Sequence, residues 1–272
     1  AREGLRSVGK LFSPKGAQED TLEALWPDRG GSCIRNRGKS WLEAQVDLSI
    51  IIPCYNNAPY LRGCLDSVLG QKTGYSFEAV VIDDGSTDET PEILKAYAAN
   101  PRVRLLRQEN QGHSGARNAG LSVCRGKYLL FHDSDDTLLP GSIQALLDCA
   151  FQNDADIAIG GYVCKDAAGN VTPGKTYSAG PVTDRQRIPG MTCGKAFRRR
   201  LWATLQFPLG YWYEDSLLSY LIFPNAKNVW VTGHMAYGYR INQAGIVKSS
   251  HGKPKSVDTY WITEELMAEH AQ

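Results

Sequence analysis

From Asp47 onward, short apolar runs alternate with stretches of helical period. "LSIIIPCYN" (48–56) is an apolar run ended by Pro53, and "APYLRGCLDSVLGQ" (58–71) sets Leu61, Leu65, Val68 and Leu69 along one helical face. The pattern predicts strand, loop, helix. "FEAVVIDDGSTDETPEILKAYAAN" repeats the scheme with a strand over residues 77–82, a carboxylate pair, a turn at Gly85, an N-cap candidate at Asp88 and Pro91 in the first helical turn. A third strand follows in "RVRLLRQEN", a short helix in "SGARNAGLSVCRG", a fourth strand in "KYLLFHD", a helix in "SIQALLDCAFQN" and a fifth strand in "ADIAIGGYVC". Such alternation implies an α/β fold whose largely parallel sheet is covered on both faces. Ligands of such sheets sit beyond the carboxyl ends of the strands. Three of these strands end in something polar: Pro53 to Asn56, Asp83 to Ser86, and Asp133 to Asp136.

The regular pattern does not extend over the whole chain. Residues 1–46 mix short apolar patches with Gly, Pro and charge, without a sustained period, and read as an N-terminal appendage. After about residue 163 the alternation fails. "KDAAGN" reads as a hairpin turn, "TPGKTYSAGPVTDRQRIPG" as a long loop, and "FPLGYWYEDSLLSYLIF" as an aromatic loop entering an amphipathic helix. The expected division is therefore a nucleotide-binding-like half over 47–163, a less regular acceptor half over 164–250, and a helical segment over 251–272. The chain begins at Ala1 and stops inside a helix-like stretch, as a piece of a longer protein would.

Composition narrows the function. With 42% hydrophobic and 22% charged residues, the 272-residue chain has the balance of an ordinary globular protein. Its net charge of +1 and the lack of a basic run interleaved with aromatics give no sign of a nucleic-acid surface. Seven cysteines stand singly, with no C-x-x-C pair, and read as reduced packing residues of a cytoplasmic protein. No apolar run has the length of a membrane span, which leaves peripheral association with the inner face of a membrane open.

The chemistry concentrates in "LLFHDSDDTLLP" (129–140), where Asp133, Asp135 and Asp136 crowd after a strand. Three close carboxylates repel unless a cation or a proton neutralises them. A divalent metal, a cap for the helix after Pro140, and the nucleophile loop of a D-x-D-x-T phosphohydrolase all fit this stretch. In Asp83-Asp84 a strand-end carboxylate before a Gly turn can accept a uracil N–H or grip ribose hydroxyls, or it can cap the next helix. Arg117, near the start of a small-residue helix, could hold phosphate oxygens. Alternation turns His132 away from Asp133 and into packing. His113 lies in a glycine turn, where it could touch phosphate or merely tolerate the turn, His234 has no partner nearby in sequence, and Tyr211, Trp212 and Tyr213 could stack on a sugar or simply pack.

Four segments, "VDLSIIIPCYNNAPYLRGCLDSVLGQ", "FEAVVIDDGSTDETPEIL", "NQGHSGARNAGLSVCRGKYLLFHDSDDTLLP" and "GYWYEDSLLSYLI", in that order and spacing, resemble a family-two glycosyltransferase over roughly residues 47–250. The resemblance implies the A-type glycosyltransferase fold, Rossmann-like, with inverting transfer from a nucleotide sugar such as a UDP-sugar to a saccharide or lipid-linked saccharide acceptor. It assigns Pro53, Tyr55, Asp83 and Asp84 to the uracil, with Asp84 as base contact, and Arg117 to the nucleotide and its phosphates. Asp133-Ser134-Asp135 matches the D-x-D element that binds Mn or Mg bridging the diphosphate, with Asp136 a further ligand or ribose contact. Glu214-Asp215 matches the acidic pair that carries the catalytic base, Asp215. Arg240 and Lys248 resemble a late segment that either closes over the diphosphate or is a solvated basic loop, and the implied product is a bacterial surface polysaccharide or glycolipid. The phosphohydrolase alternative leaves "VVIDDGSTD" and "YEDS" without a role.

Overall fold

The computed structural model of the chain describes residue 34 and residues 43–185, 188–242 and 258–270. Nearly all of the expected N-terminal appendage, together with Cys33 and Lys248, lies outside the described residues.

One ten-stranded sheet runs through both expected halves. Its first four strands are β1 (Val46–Cys54), β2 (Phe77–Asp83), β3 (Val103–Arg107) and β4 (Gly126–Phe131). They are linked by α1 (Ala58–Leu69), α2 (Thr90–Lys95) and α3 (Gly112–Val123), and they pair in parallel in the spatial order β3-β2-β1-β4. There follow β5 (Thr137–Leu138), α4 (Ser142–Gln152), β6 (Ile157–Lys165), β7 (Val171–Pro173), β8 (Gly180–Pro181), β9 (Lys195–Arg198), β10 (Val229–Arg240) and α5 (Asp258–His270). β9 inserts antiparallel between β4 and β6, β10 runs parallel to β6, and β5 closes the edge antiparallel to β10.

Strand alternation builds two apolar layers. Ile51, Val80, Ile82, Leu129 and Phe131 face one side, where Ala116 and Leu121 of α3, Trp202 and Trp261 of α5 pack. Ile50, Ile52, Val81, Tyr128 and Leu130 face the other, covered by Leu61 and Leu65 of α1 and Leu146 of α4. The approach of α3 is close: a Cβ on Gly120 would sit 2.4 Å from Cγ2 of Ile51. That contact seats α3 against β1 and β2, with Arg117 one turn earlier on the helix lying over Phe131 at the end of β4.

β1 continues one residue past Pro53, which pairs with Ile82. Proline is tolerated here because β4 stops pairing at Ile51, so the missing N–H breaks no ladder bond. In the second half the structure departs from the sequence reading. β9 and β10 were not expected: β9 is four residues long, and the alternation of β10 is broken by register shifts around Met235 and by Gly233 at φ +73°. The helix expected after Glu214-Asp215 forms over residues 216–225, with a π-helical turn at Leu218–Ile222 in its middle. "KDAAGN" does turn a hairpin, between β6 and β7. Among the described residues no helix is long and apolar enough to cross a membrane.

Candidate active site

The loops after β1, β2 and β4 are tied into one rim. The Asn56 amide donates to Ser86 Oγ at 3.0 Å, and Asn56 Oδ1 accepts the Thr87 amide at 2.8 Å. Asn57 Nδ2 donates to Ser134 Oγ at 2.7 Å, which links the end of β1 to the acidic loop. Asp88 Oδ1 accepts the Thr90 amide and its Oδ2 accepts the Ala58 amide, so this side chain serves the starts of both α2 and α1. Tyr55 stands at the rim, 51% exposed.

The tandem aspartates after β2 divide their work. Asp83 Oδ1 accepts the Ser86 amide at 2.9 Å and its Oδ2 lies 3.0 Å from Arg107, so it holds the turn in which Gly85 adopts φ +80°. Asp84 Oδ1 accepts Gln108 Nε2 at 2.7 Å and the Gln111 amide at 2.9 Å. No partner is seen for Asp84 Oδ2 among the described residues. Neither aspartate caps α2.

The acidic loop is not a helix cap either. α4 starts after Gly141, in the left-handed region, with no side-chain capping bond. Asp136 is buried, accepting the Tyr237 hydroxyl on Oδ2 and the Arg240 amide on Oδ1 at 2.6 Å. Asp135 is more open: its Oδ2 accepts Asn242 Nδ2 at 3.2 Å and its carbonyl accepts Arg240 Nε at 2.8 Å. The Arg240 guanidinium lies over the Tyr60 ring, 4.6 Å from its centroid. His132 is packed as alternation predicts, edge-on to Tyr237, and burial pushes its pKa down to about 4. His234 finds the Pro140 carbonyl at 3.1 Å.

Arg117 joins this loop to the second acidic pair. Its Nη2 donates to Asp133 Oδ1 at 2.9 Å and its Nη1 to Glu214 Oε1 at 2.6 Å, with the guanidinium over Phe207 and only 2% of the residue exposed. His113 spans the same two carboxylates, 3.3 Å from Asp133 and 3.4 Å from Glu214. Here Arg117 is therefore a buried tie that reaches Glu214, 97 positions along the chain, its two terminal nitrogens both taken by carboxylates. Tyr213, just before the pair, holds φ +62°, where non-glycine residues are strained.

The charges of the site follow from this wiring. Burial alone would raise the pKa of Asp133, but Arg117 and His113 outweigh it and hold the carboxyl well below the usual range. Burial opposes the charge of Arg117 too, and Asp133 and Glu214 more than compensate, keeping the guanidinium charged. Asp135 and Asp136 are both pushed up, by burial first and then by Asp133. Asp215 is pushed up to about 6 by burial and by Glu214, against the pull of Arg117. Its carboxylate makes no hydrogen bond to any described residue.

These donors fit a hard divalent cation. The loop carries three carboxylates with two arginines near by, and the two aspartates whose ionisation is opposed would be relieved by a dication. The ligand atoms drawn closest together, within 4.8 Å, belong to Asp133, Asp136 and Cys193, with Asp135 outside that group. Cys193, read from sequence as a packing residue, donates from Sγ to Asp133 Oδ2 at 3.3 Å. Nothing in "GMTCGKAF" marks it, because β9 brings it to the site only through its place beside β4. A cavity of about 440 Å³ lined by Asp154, Asp156, Arg198, Arg200, Lys227 and Asn228 lies at the opposite, amino-terminal ends of β6 and β10. There Asp156 is saturated by Arg198, Arg200 and the Lys227 amide.

The model of the family described as glycosyl transferase family 2 matches residues 49–203. The chain belongs to that family. Most of β1, strands β2 to β4, the acidic loop, Arg117 and Cys193 lie inside the family match, while Glu214-Asp215 and α5 lie beyond it. Among relatives, the uncharacterized glycosyltransferase YibD of Escherichia coli K12 is 41% identical over 153 residues, 56% of this chain and 43% of that protein. Glycosyltransferase GlyA of Streptococcus pneumoniae is 31% identical over 217 residues, 73% of this chain and 31% of that protein. The chain thus spans under half the length of these two relatives. S. aureus TarS, crystallised with UDP-GlcNAc, superposes with a TM-score of 0.70 and 24% identity, covering 82% of this chain and 66% of that one. The likeness to TarS shows a shared fold, the mostly parallel α/β architecture expected from the sequence.

Proposed function

We propose that this chain transfers a sugar from a UDP-sugar to an acceptor hydroxyl, with inversion at the anomeric carbon and with a divalent cation bound. One observation carries the reading: two acidic segments from opposite halves meet at Arg117 and His113, and Asp215 is the member whose carboxylate has no hydrogen-bond partner among the described residues and a pKa pushed up to about 6. The UDP-GlcNAc complex of TarS supports the donor class.

Asp84, through its unpartnered Oδ2, accepts the uracil N–H, while Asp83 holds the turn that presents it. Pro53 and Tyr55 frame the base from the end of β1. Asp133 and Asp135 would hold Mn or Mg, Ser134 keeps the loop tied to Asn57, and Asp136 anchors the loop to β10. A bound cation supplies neutralisation of the diphosphate, which makes the nucleoside diphosphate a better leaving group. Arg117 fixes Asp133 and Glu214 at a set spacing, and Glu214 supports its neighbour. Asp215 takes the proton of the acceptor hydroxyl as that oxygen bonds to the anomeric carbon; the bond to the diphosphate oxygen breaks, and its electron pair leaves with the diphosphate. A saccharide or lipid-linked acceptor, met in the cytoplasm at the inner face of a membrane, belongs to the same proposal.

The test is nucleoside diphosphate release from a panel of UDP-, GDP- and dTDP-sugars with Mn, Mg or chelator. Metal-dependent release from a UDP-sugar is expected. Binding without release would make the chain a nucleotide-sugar-binding accessory domain, and equal release in chelator would remove the cation from the account.

A further inference from the structure

The five residues 211–215 are gripped from both sides, and one grip comes from outside the family match. On the downstream side Arg117 holds Glu214, and the Leu218 amide donates to the Asp215 carbonyl at 2.9 Å as the π-helical turn begins. On the upstream side α5 supplies two acceptors. The Tyr211 hydroxyl donates to Glu265 Oε1 at 2.6 Å, and the Trp212 amide donates to Asp258 Oδ2 at 2.8 Å. Asp258 is 5% exposed. α5 is itself seated by Trp261, Ile262 and Leu266, which join the same buried cluster as Leu217, Leu218, Leu221 and Ile222 of the turn.

A single helix thus packs against the residues that follow the acidic pair and hydrogen-bonds the residues that precede it. Between the two grips sits Tyr213 at φ +62°. A non-glycine residue in that region costs about 1–3 kcal/mol and persists only where its surroundings over-determine it. Removing the Asp258 and Glu265 acceptors would loosen the upstream end of the strained turn, and its relaxation would swing the Asp215 side chain, whose carboxylate makes no hydrogen bond to any described residue.

We propose that Asp258 and Glu265 are positioning residues that hold the 211–215 turn strained and so aim Asp215 at the acceptor. This rests on Asp215 being the base, as proposed above. Neither residue touches substrate, and both act through Trp212 and Tyr211.

The test compares Asp258→Ala and Glu265→Ala with Asp258→Asn and Glu265→Gln, whose amide oxygens still accept the same bonds. Amide hydrogen exchange of the ligand-free protein is read first. The alanine variants should exchange about tenfold faster over residues 211–217, with the 133–136 loop unchanged, and the amide variants should match the wild type. Turnover and UDP calorimetry follow: kcat should fall about tenfold to a hundredfold in the alanine variants at unchanged UDP stoichiometry and affinity, with recovery in the amide variants. Unchanged exchange over 211–217, or faster exchange spread over the whole chain, overturns the inference. So does a kcat that falls only in step with the fraction able to bind UDP. Should local exchange respond as expected while Asp215→Asn stays active, the clamp stands and the assignment of the base fails instead.

Discussion

Replacing Asp215 with Asn should make the protein both less active and more stable, and the two effects should share one pH. The fold raises the Asp215 pKa from its ordinary 3.8 to about 6, by burial and by Glu214. Because the folded pKa lies above the unfolded one, the favourable contribution of this group is complete below about pH 4 and is lost as pH rises through about 6. The difference of about 2 pH units sets an upper bound near 3 kcal/mol, which solvent screening at a partly exposed carboxylate reduces to the order of 1–2 kcal/mol. Asp215→Asn cannot ionise. The ligand-free variant should therefore melt higher than the wild type at pH 7.5, with the gap closing towards pH 4. Turnover should respond in the opposite sense. Wild-type kcat/KM should fall about fivefold between pH 6 and pH 5 as the base protonates, while the variant should be slower by roughly a hundredfold or more and lack this acid limb. The assays are thermal denaturation from pH 4 to 8 and initial rates over the range in which the protein stays folded. A variant that is no more stable at pH 7.5, or that keeps the wild-type pH profile, would refute both the burial argument and the role of base.

Asp84→Ala should weaken UDP binding by about 1–3 kcal/mol, read by calorimetry, because a buried uracil donor loses its acceptor; a loss of stability at unchanged affinity would leave Asp84 a structural residue. Arg117→Met should cost about 2–4 kcal/mol in chemical denaturation, since buried Glu214 and half-buried Asp133 would lose their common counter-charge. A cost under about 1 kcal/mol would show that His113 suffices to hold them. Cobalt(II) reports where the cation sits: ligation by Asp133 and Asp135 predicts no thiolate-to-metal band in the near ultraviolet. A band that disappears in Cys193→Ser would move the ion onto the Asp133, Asp136 and Cys193 group.

Where strands carried a clean apolar run and were followed by helical periodicity, the sequence specified the structure closely, as for β1 to α1 and β4 to α4. The polar strand ends could be placed at one rim because a parallel sheet puts its carboxyl ends on one side. What stayed hidden depends on contacts between distant segments. Arg117 reads as a phosphate ligand from its place on α3, and only the return of residue 214 across 97 positions reveals it as a tie. Cys193 is silent for the same reason, since a four-residue β9 with two charged ends has no legible period. Asp136 could not be told from Asp135 by composition, yet adjacent residues on a turning loop find different partners, one buried against Tyr237 and the Arg240 amide and the other half-buried beside Asn242. α5 was expected as a helix, but its hold on Tyr211 and Trp212 is invisible without the fold.

The central claim is that the acidic loop binds a nucleoside diphosphate together with a divalent cation. Calorimetry of UDP with wild type and with Asp135→Ala, each in Mn and in chelator, tests it most directly. The account predicts Mn-dependent binding to the wild type at one site per chain and its loss in Asp135→Ala, with the variant's fold unchanged. Mn-dependent UDP binding of full affinity in Asp135→Ala, or wild-type binding indifferent to chelator, would contradict it.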